Sequence, residues 1–129
     1  MARSKEPRTG DWWLQLGDEQ IGYWPSSLFS YLSASTSQIQ WGGEVVNSRS
    51  NGHHTTTEMG SGRFSKQGLS KASYIRNIET VDESNHLRSP NDLYTNADEN
   101  SCYDILASID DNWGSYVYFG GPGRNINCP

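Results

Sequence analysis

Apolar residues in this chain recur with a period of two, and that spacing commits it to β-structure. In residues 11–16, Trp12, Leu14 and Leu16 fall on one face and Trp13 on the other. Residues 37–47 alternate Ile39, Trp41 and Val45 against Gln38, Gln40 and Glu44. Residues 71–81 place Ala72, Tyr74, Ile78 and Thr80 on one side with Arg76 among them. Residues 102–107 and 114–119 read as two final strands about an Asp110-Asp111-Asn112 turn. Seven Tyr, five Trp and three Phe supply the large apolar area otherwise lacking in a chain with 33% hydrophobic residues and a mean hydropathy of −0.77.

Turn-forming residues punctuate these runs. Gly17-Asp18, between the first strand and residues 19–24, predicts a hairpin. Pro25 opens residues 25–32, where Leu28, Phe29, Tyr31 and Leu32 fall at helical spacing, so one short helix is expected there. Residues 1–9, with Arg3, Lys5, Arg8 and a proline, read as a flexible leader, and residues 10–129 as one domain. Residues 47–57 and the acidic, Asn-rich residues 82–101 read as loops, and residues 120–129 are too rich in Gly and Pro for a regular element. A chain of 129 residues suits a single domain burying about two thirds of its unfolded surface.

A formal charge of −5 argues against a nucleic-acid surface, which needs a basic stripe to neutralise phosphates. No stretch approaches the roughly 18 apolar residues of a membrane span, and no apolar run at the N-terminus fits a signal peptide. Cys102 and Cys128 are too few for a zinc site built on cysteines alone, and their spacing is not that of a redox pair. Joined as a disulfide they would close a loop worth about 3 kcal/mol, which requires an oxidising compartment.

Glu44 is the first candidate for chemistry, because Gly42 and Gly43 beside it remove side-chain bulk and let another backbone approach. The adjacent His53 and His54 point to opposite faces of an extended chain and have no carboxylate or thiol at a familiar ligand spacing, so a hydrogen-bonding role outweighs a metal. Residues 59–64, Met-Gly-Ser-Gly-Arg-Phe, resemble a phosphate loop only loosely and lack its lysine and following helix.

Trp41-Gly-Gly-Glu-Val45 joins Asp11-Trp-Trp-Leu-Gln-Leu-Gly17, Ile21-Gly-Tyr-Trp-Pro-Ser-Ser-Leu-Phe29, His54-Thr55, Met59-Gly-Ser-Gly62, Ala72-Ser-Tyr74, Cys102-Tyr103 and Gly120-Gly-Pro-Gly-Arg-Asn125 in one ordered series. In these motifs the chain resembles the C-terminal part of the neprosin family of plant proteins, also described as putative carboxyl-terminal peptidases. The resemblance implies an antiparallel β-sandwich and a glutamic endopeptidase that cleaves after proline in acid. Of that family's two catalytic glutamates, the later maps to Glu44, and the earlier is expected upstream of residue 1.

Amide hydrolysis by two carboxyls needs one ionised, to take a proton from water, and one protonated, to donate to the carbonyl oxygen or leaving amine. Their mutual repulsion separates the two ionisations. Glu58, Asp11, Asp18 and Asp104 are weaker stand-ins for the second acid; Gln40, Gly42, Gly43, Tyr23 and Trp24, with Trp41, are groove candidates. The resemblance further implies a proline-containing peptide or protein as partner, neither nucleic acid nor membrane, no cofactor, and a secreted, extracellular or vacuolar location. A second chain supplying upstream strands is an expected partner. The competing readings are a non-catalytic module that binds peptide or carbohydrate, and an inactive remnant.

Overall fold

The computed structural model describes residues 2–32, 36–82, 84 and 86–129, which divide into two compact units, Met1–Gln40 and Trp41–Pro129. Among the described residues all regular structure is antiparallel β-sheet apart from single 3₁₀ turns, so the expected all-β class holds. Among the described residues no helix is long and apolar enough to cross a membrane.

The first unit is a sheet in the order β1 (Ala2–Lys5), β2 (Trp12–Leu16), β3 (Glu19–Trp24). Gly17 takes a φ of 60°, the left-handed geometry a two-residue hairpin needs at its first central position. Trp13 and Tyr23 lie directly across from each other with ring centroids 4.9 Å apart. A bulge skips Ile21, since Leu14 pairs with Gly22 and Gln15 with Gln20. Residues 2–5, expected within a flexible leader, form an edge strand paired from Ala2↔Gln15 to Lys5↔Trp12. Backbone groups along the open edge of β2 bond to any extended chain, whatever its side chains.

The expected helix is reduced to a 3₁₀ turn, Ser26–Leu28, after which Phe29 is extended. Leu28 is 65% exposed and Tyr31 95%, so no apolar stripe is buried to offset the cost of nucleating a longer helix. Asp11 holds the turn in place, its Oδ1 accepting from the Ser26 N–H at 2.9 Å.

The second unit contains β4 (Ser73–Ile75), a ribbon of β5 (Thr80–Val81) with β6 (Leu87–Arg88), and the hairpin β7 (Asp104–Asp110) and β8 (Gly114–Gly120); β8 is central, between β4 and β7. At the hairpin turn Asp110 Oδ1 accepts from the N–H groups of Asn112 and Trp113. The strand expected over residues 71–81 is broken by Asn77, whose φ of 51° reverses the alternation. Tyr74 is thereby 45% exposed while Ile78 is buried, its N–H donating to the Ser115 carbonyl.

Residues 37–47, the most strand-like stretch on paper, form no strand. Gly42 adopts a φ of 154°, and Gly43 rests on side chains, so no ladder of backbone bonds develops. The in–out alternation nevertheless survives at its end: Glu44 is exposed, whereas Val45 packs on the core formed by Cys102, Tyr103 and Cys128.

That core is closed by the Cys102–Cys128 disulfide, with Cα atoms 5.4 Å apart. Residues 121–129 are stitched to residues 54–59 by backbone bonds from Met59 to Gly121, Arg124 to Thr55 and His54 to Pro129. Glycine is required here, because a Cβ at Gly121 would strike the Cys102 carbonyl and one at Gly123 the carbonyl oxygens of Thr55 and Thr57.

Candidate active site around Glu44

The segment carrying Glu44 is positioned through Gly43. A Cβ on this residue would lie 2.7 Å from Met59 Cγ, 3.0 Å from Met59 Sδ and 3.1 Å from Phe119 Cε2. Phe119 belongs to the face of β8 that also carries Ser115 and Val117, both buried, so the chain leading to Glu44 crosses the inner face of the sheet. Gly42 has open space where a side chain would stand. The two glycines therefore do different jobs: Gly43 permits contact with the sheet, and Gly42 supplies the backbone geometry.

Among the described residues Glu44 has no hydrogen bond or ion pair, so its carboxylate is free to meet a ligand. The Gly43–Met59 contact also brings the next segment alongside, with Glu58 preceding Met59. Glu58 is exposed and its carboxyl lies over Gly62, where a Cβ would meet Cδ at 2.5 Å. Of the other acids considered, Asp11 caps the 3₁₀ turn and Asp104 accepts from the buried Ser65 N–H, so both already serve the fold. Asp18 lies in the β2–β3 hairpin turn. Gln40, Tyr23 and Trp24 belong to the first unit, whereas Gly42, Gly43 and Glu44 belong to the second.

His54 is buried, with Nδ1 2.9 Å from the Thr55 carbonyl and its ring edge-on to Tyr103. Its ring nitrogen and the sulfurs of Cys102 and Cys128 lie within 4.8 Å of one another. The two sulfurs are bonded to each other and offer no thiolates, and the hydrogen bond to Thr55 gives the imidazole a structural task.

Reading along the sequence missed a cluster of rings on the outer face of the same sheet. Tyr74, Trp113, Tyr116 and Tyr118 form a connected set with centroids 4.9 to 6.2 Å apart, and the Arg76 guanidinium stands 5.3 Å from the Trp113 ring. The signal was present as tyrosines two apart at 116 and 118, but the register that sets Tyr74 opposite Tyr118 comes only from strand pairing.

Residues 1–122 match the family model described as Neprosin. The match spans both units and includes Glu44, the glycines beside it and the Met59–Gly62 turn.

Proposed function

Because this chain belongs to the neprosin family, whose function is peptidase-related, we propose that it forms the C-terminal part of a glutamic endopeptidase acting after proline in acid. Glu44 is one of the two carboxyls the reaction requires, as the base that activates water or the acid that protonates the leaving amine. The single observation that carries this reading is an exposed glutamate with no partner among the described residues, on a segment held by Gly43 against Met59 and Phe119. The second carboxyl comes from another segment, and Glu58 is the acid of this chain best placed to substitute for it. The aromatic residues then hold an extended, proline-containing peptide, and the sheets belong to a sandwich. The Cys102–Cys128 disulfide fits a secreted or vacuolar enzyme.

The test is mass spectrometry of a proline-containing peptide incubated with the purified chain at acidic pH, beside its Glu44→Gln variant. Cleavage after proline that is lost in the variant supports the reading. Equal cleavage by both, or none by a parent with a cooperative unfolding transition, overturns it for this chain.

A second reading is favoured by the ring cluster. Tyr74, Trp113, Tyr116 and Tyr118 offer stacking surfaces suited to a proline or sugar ring without any hydrolysis. That module binds saturably, is indifferent to Glu44→Gln and weakens on Trp113→Ala.

A further inference from the structure

We infer that the loop following Met59 forms a pocket for a tetrahedral oxyanion, a phosphate or sulfate group. The site does not depend on the peptidase reading. A depression of about 390 Å³ is lined by Ser61, Arg63, Gln67, Ser70 and Lys71. Its lining offers a guanidinium, an ammonium, two hydroxyls and an amide, and no carboxylate. The chain carries 15 acidic and 10 basic residues, whereas this concavity holds two cations and no acid.

Neither cation is spent on the protein itself. The Arg63 guanidinium and the Lys71 ammonium make no ion pair or hydrogen bond among the described residues, whereas Arg49 and Arg88 pair with Glu99 and Asp82. Glu58 lies against Gly62, next to Arg63 in sequence, yet it neither pairs with Arg63 nor lines the depression. Positive charge that remains unpaired on an open, concave, polar surface attracts an anion, which the exposed side chains can contact while it keeps part of its water.

The backbone brings these groups together from two short stretches. Gly60 and Gly62 take φ of 61° and 71°, which turns the chain so that Ser61 and Arg63 reach the depression. After the 3₁₀ turn Ser65–Gln67, Gly68 and Ser70 take φ of 65° and 71°, and the Lys71 N–H donates to the Gly68 carbonyl. The Met-Gly-Ser-Gly-Arg-Phe motif has no lysine of its own, and the fold supplies Lys71 from the second stretch.

Two positive charges match a dianion better than a single carboxylate. Donors on five residues arranged around a cavity suit four tetrahedral oxygens rather than a planar group. The volume exceeds that of a bare phosphate, leaving room for a small organic group that carries it.

The test follows backbone amide signals of the full chain by NMR while inorganic phosphate, glycerol 3-phosphate and acetate are added separately at constant ionic strength. Saturable shifts at Ser61, Arg63, Ser70 and Lys71 below about 10 mM phosphate are expected, with acetate at least about tenfold weaker. Tighter binding of glycerol 3-phosphate identifies an ester as the natural form, and equal binding identifies the free ion. Arg63→Gln and Lys71→Gln should each weaken phosphate by about tenfold, the scale of one charged hydrogen bond. The charge-conserving Lys71→Arg should stay within about threefold, and Glu44→Gln should bind as the parent does. Absence of saturable shifts, shifts unaltered in Arg63→Gln and Lys71→Gln, or equal binding of acetate would overturn the inference. Should either Gln variant lose its dispersed spectrum, the ionic-strength dependence of the parent decides: binding unchanged by salt also overturns it.

Discussion

The glycines in the motifs of this chain differ in what lies beside them, from open space at Gly42 to backbone at Gly121, and the cost of replacing one follows from what it would meet. A Cβ at Gly43 meets mainly the side chain of Met59, whose flexible thioether can move aside. A Cβ at Gly121 meets the carbonyl of Cys102 and the Cα of Tyr103, and the residue also holds a φ of 156°. Gly43→Ala is therefore expected to destabilise by about 1 kcal/mol and Gly121→Ala by about 3 kcal/mol or more, as read from urea midpoints at unchanged slope. Equal losses would mean that Gly43 also rests on rigid structure. Activity discriminates further, since Gly43→Ala shifts the segment that carries Glu44 while Gly121→Ala acts through the core.

At the scale of elements, the β5–β6 ribbon is pinned by one side chain. Asp82 Oδ1 accepts from the backbone N–H groups of His86 and Ser84, and its Oδ2 accepts from Arg88 Nε at 2.9 Å. These bonds, the one from His86 foremost, then that from Arg88, hold the carboxyl below its usual value of 3.8, against an opposing effect of desolvation. A carboxyl whose pKa is lowered by folding stabilises the folded ribbon above the unfolded value. That contribution is lost as pH falls through the lower, folded one. Protection of the Thr80 and Leu87 amides, the ratio of intrinsic to observed exchange rate, should accordingly stay constant down to about pH 4 and fall below it, a change that Asp82→Asn removes. The ribbon thus persists across the mildly acidic range in which the proposed peptidase works.

For the molecule as a whole, the division into Met1–Gln40 and Trp41–Pro129 gives the second unit its own sheet, core and disulfide. Residues 41–129 expressed alone should unfold cooperatively and keep Cys102 and Cys128 oxidised. Reduction should lower their stability by about 3 kcal/mol, a fall in Tm of more than about 10 °C for a unit of this size. A featureless melt of residues 41–129, or one indifferent to reductant, would show that the unit does not stand by itself. Tyr103 offers an internal check, because burial raises its phenol above the usual 10.0 while its O–H donates to the Thr57 carbonyl at 2.8 Å. The stability this contributes is complete below pH 10.0 and is lost as pH rises through the higher folded value.

What the sequence determined by itself was local: a period of two that marks strands at 11–16, 102–107 and 114–119, found at 12–16, 104–110 and 114–120, and the Gly17-Asp18 hairpin. Its ordered motifs also named the family. Each of these is set by neighbouring residues, and neighbours are legible in a linear string. Tertiary structure alone decided that residues 37–47 have no strand partner among the described residues, since alternation specifies a face but not an edge to pair with. It likewise brought residues 2–5 onto β2, because backbone bonding ignores side-chain identity. Glu44 could be singled out from its glycines, but its contact with Met59 and Phe119 could not. The ring cluster and the pocket of Arg63 and Lys71 depend in the same way on residues far apart in sequence or turned by left-handed glycines, and only the folded chain sets those distances.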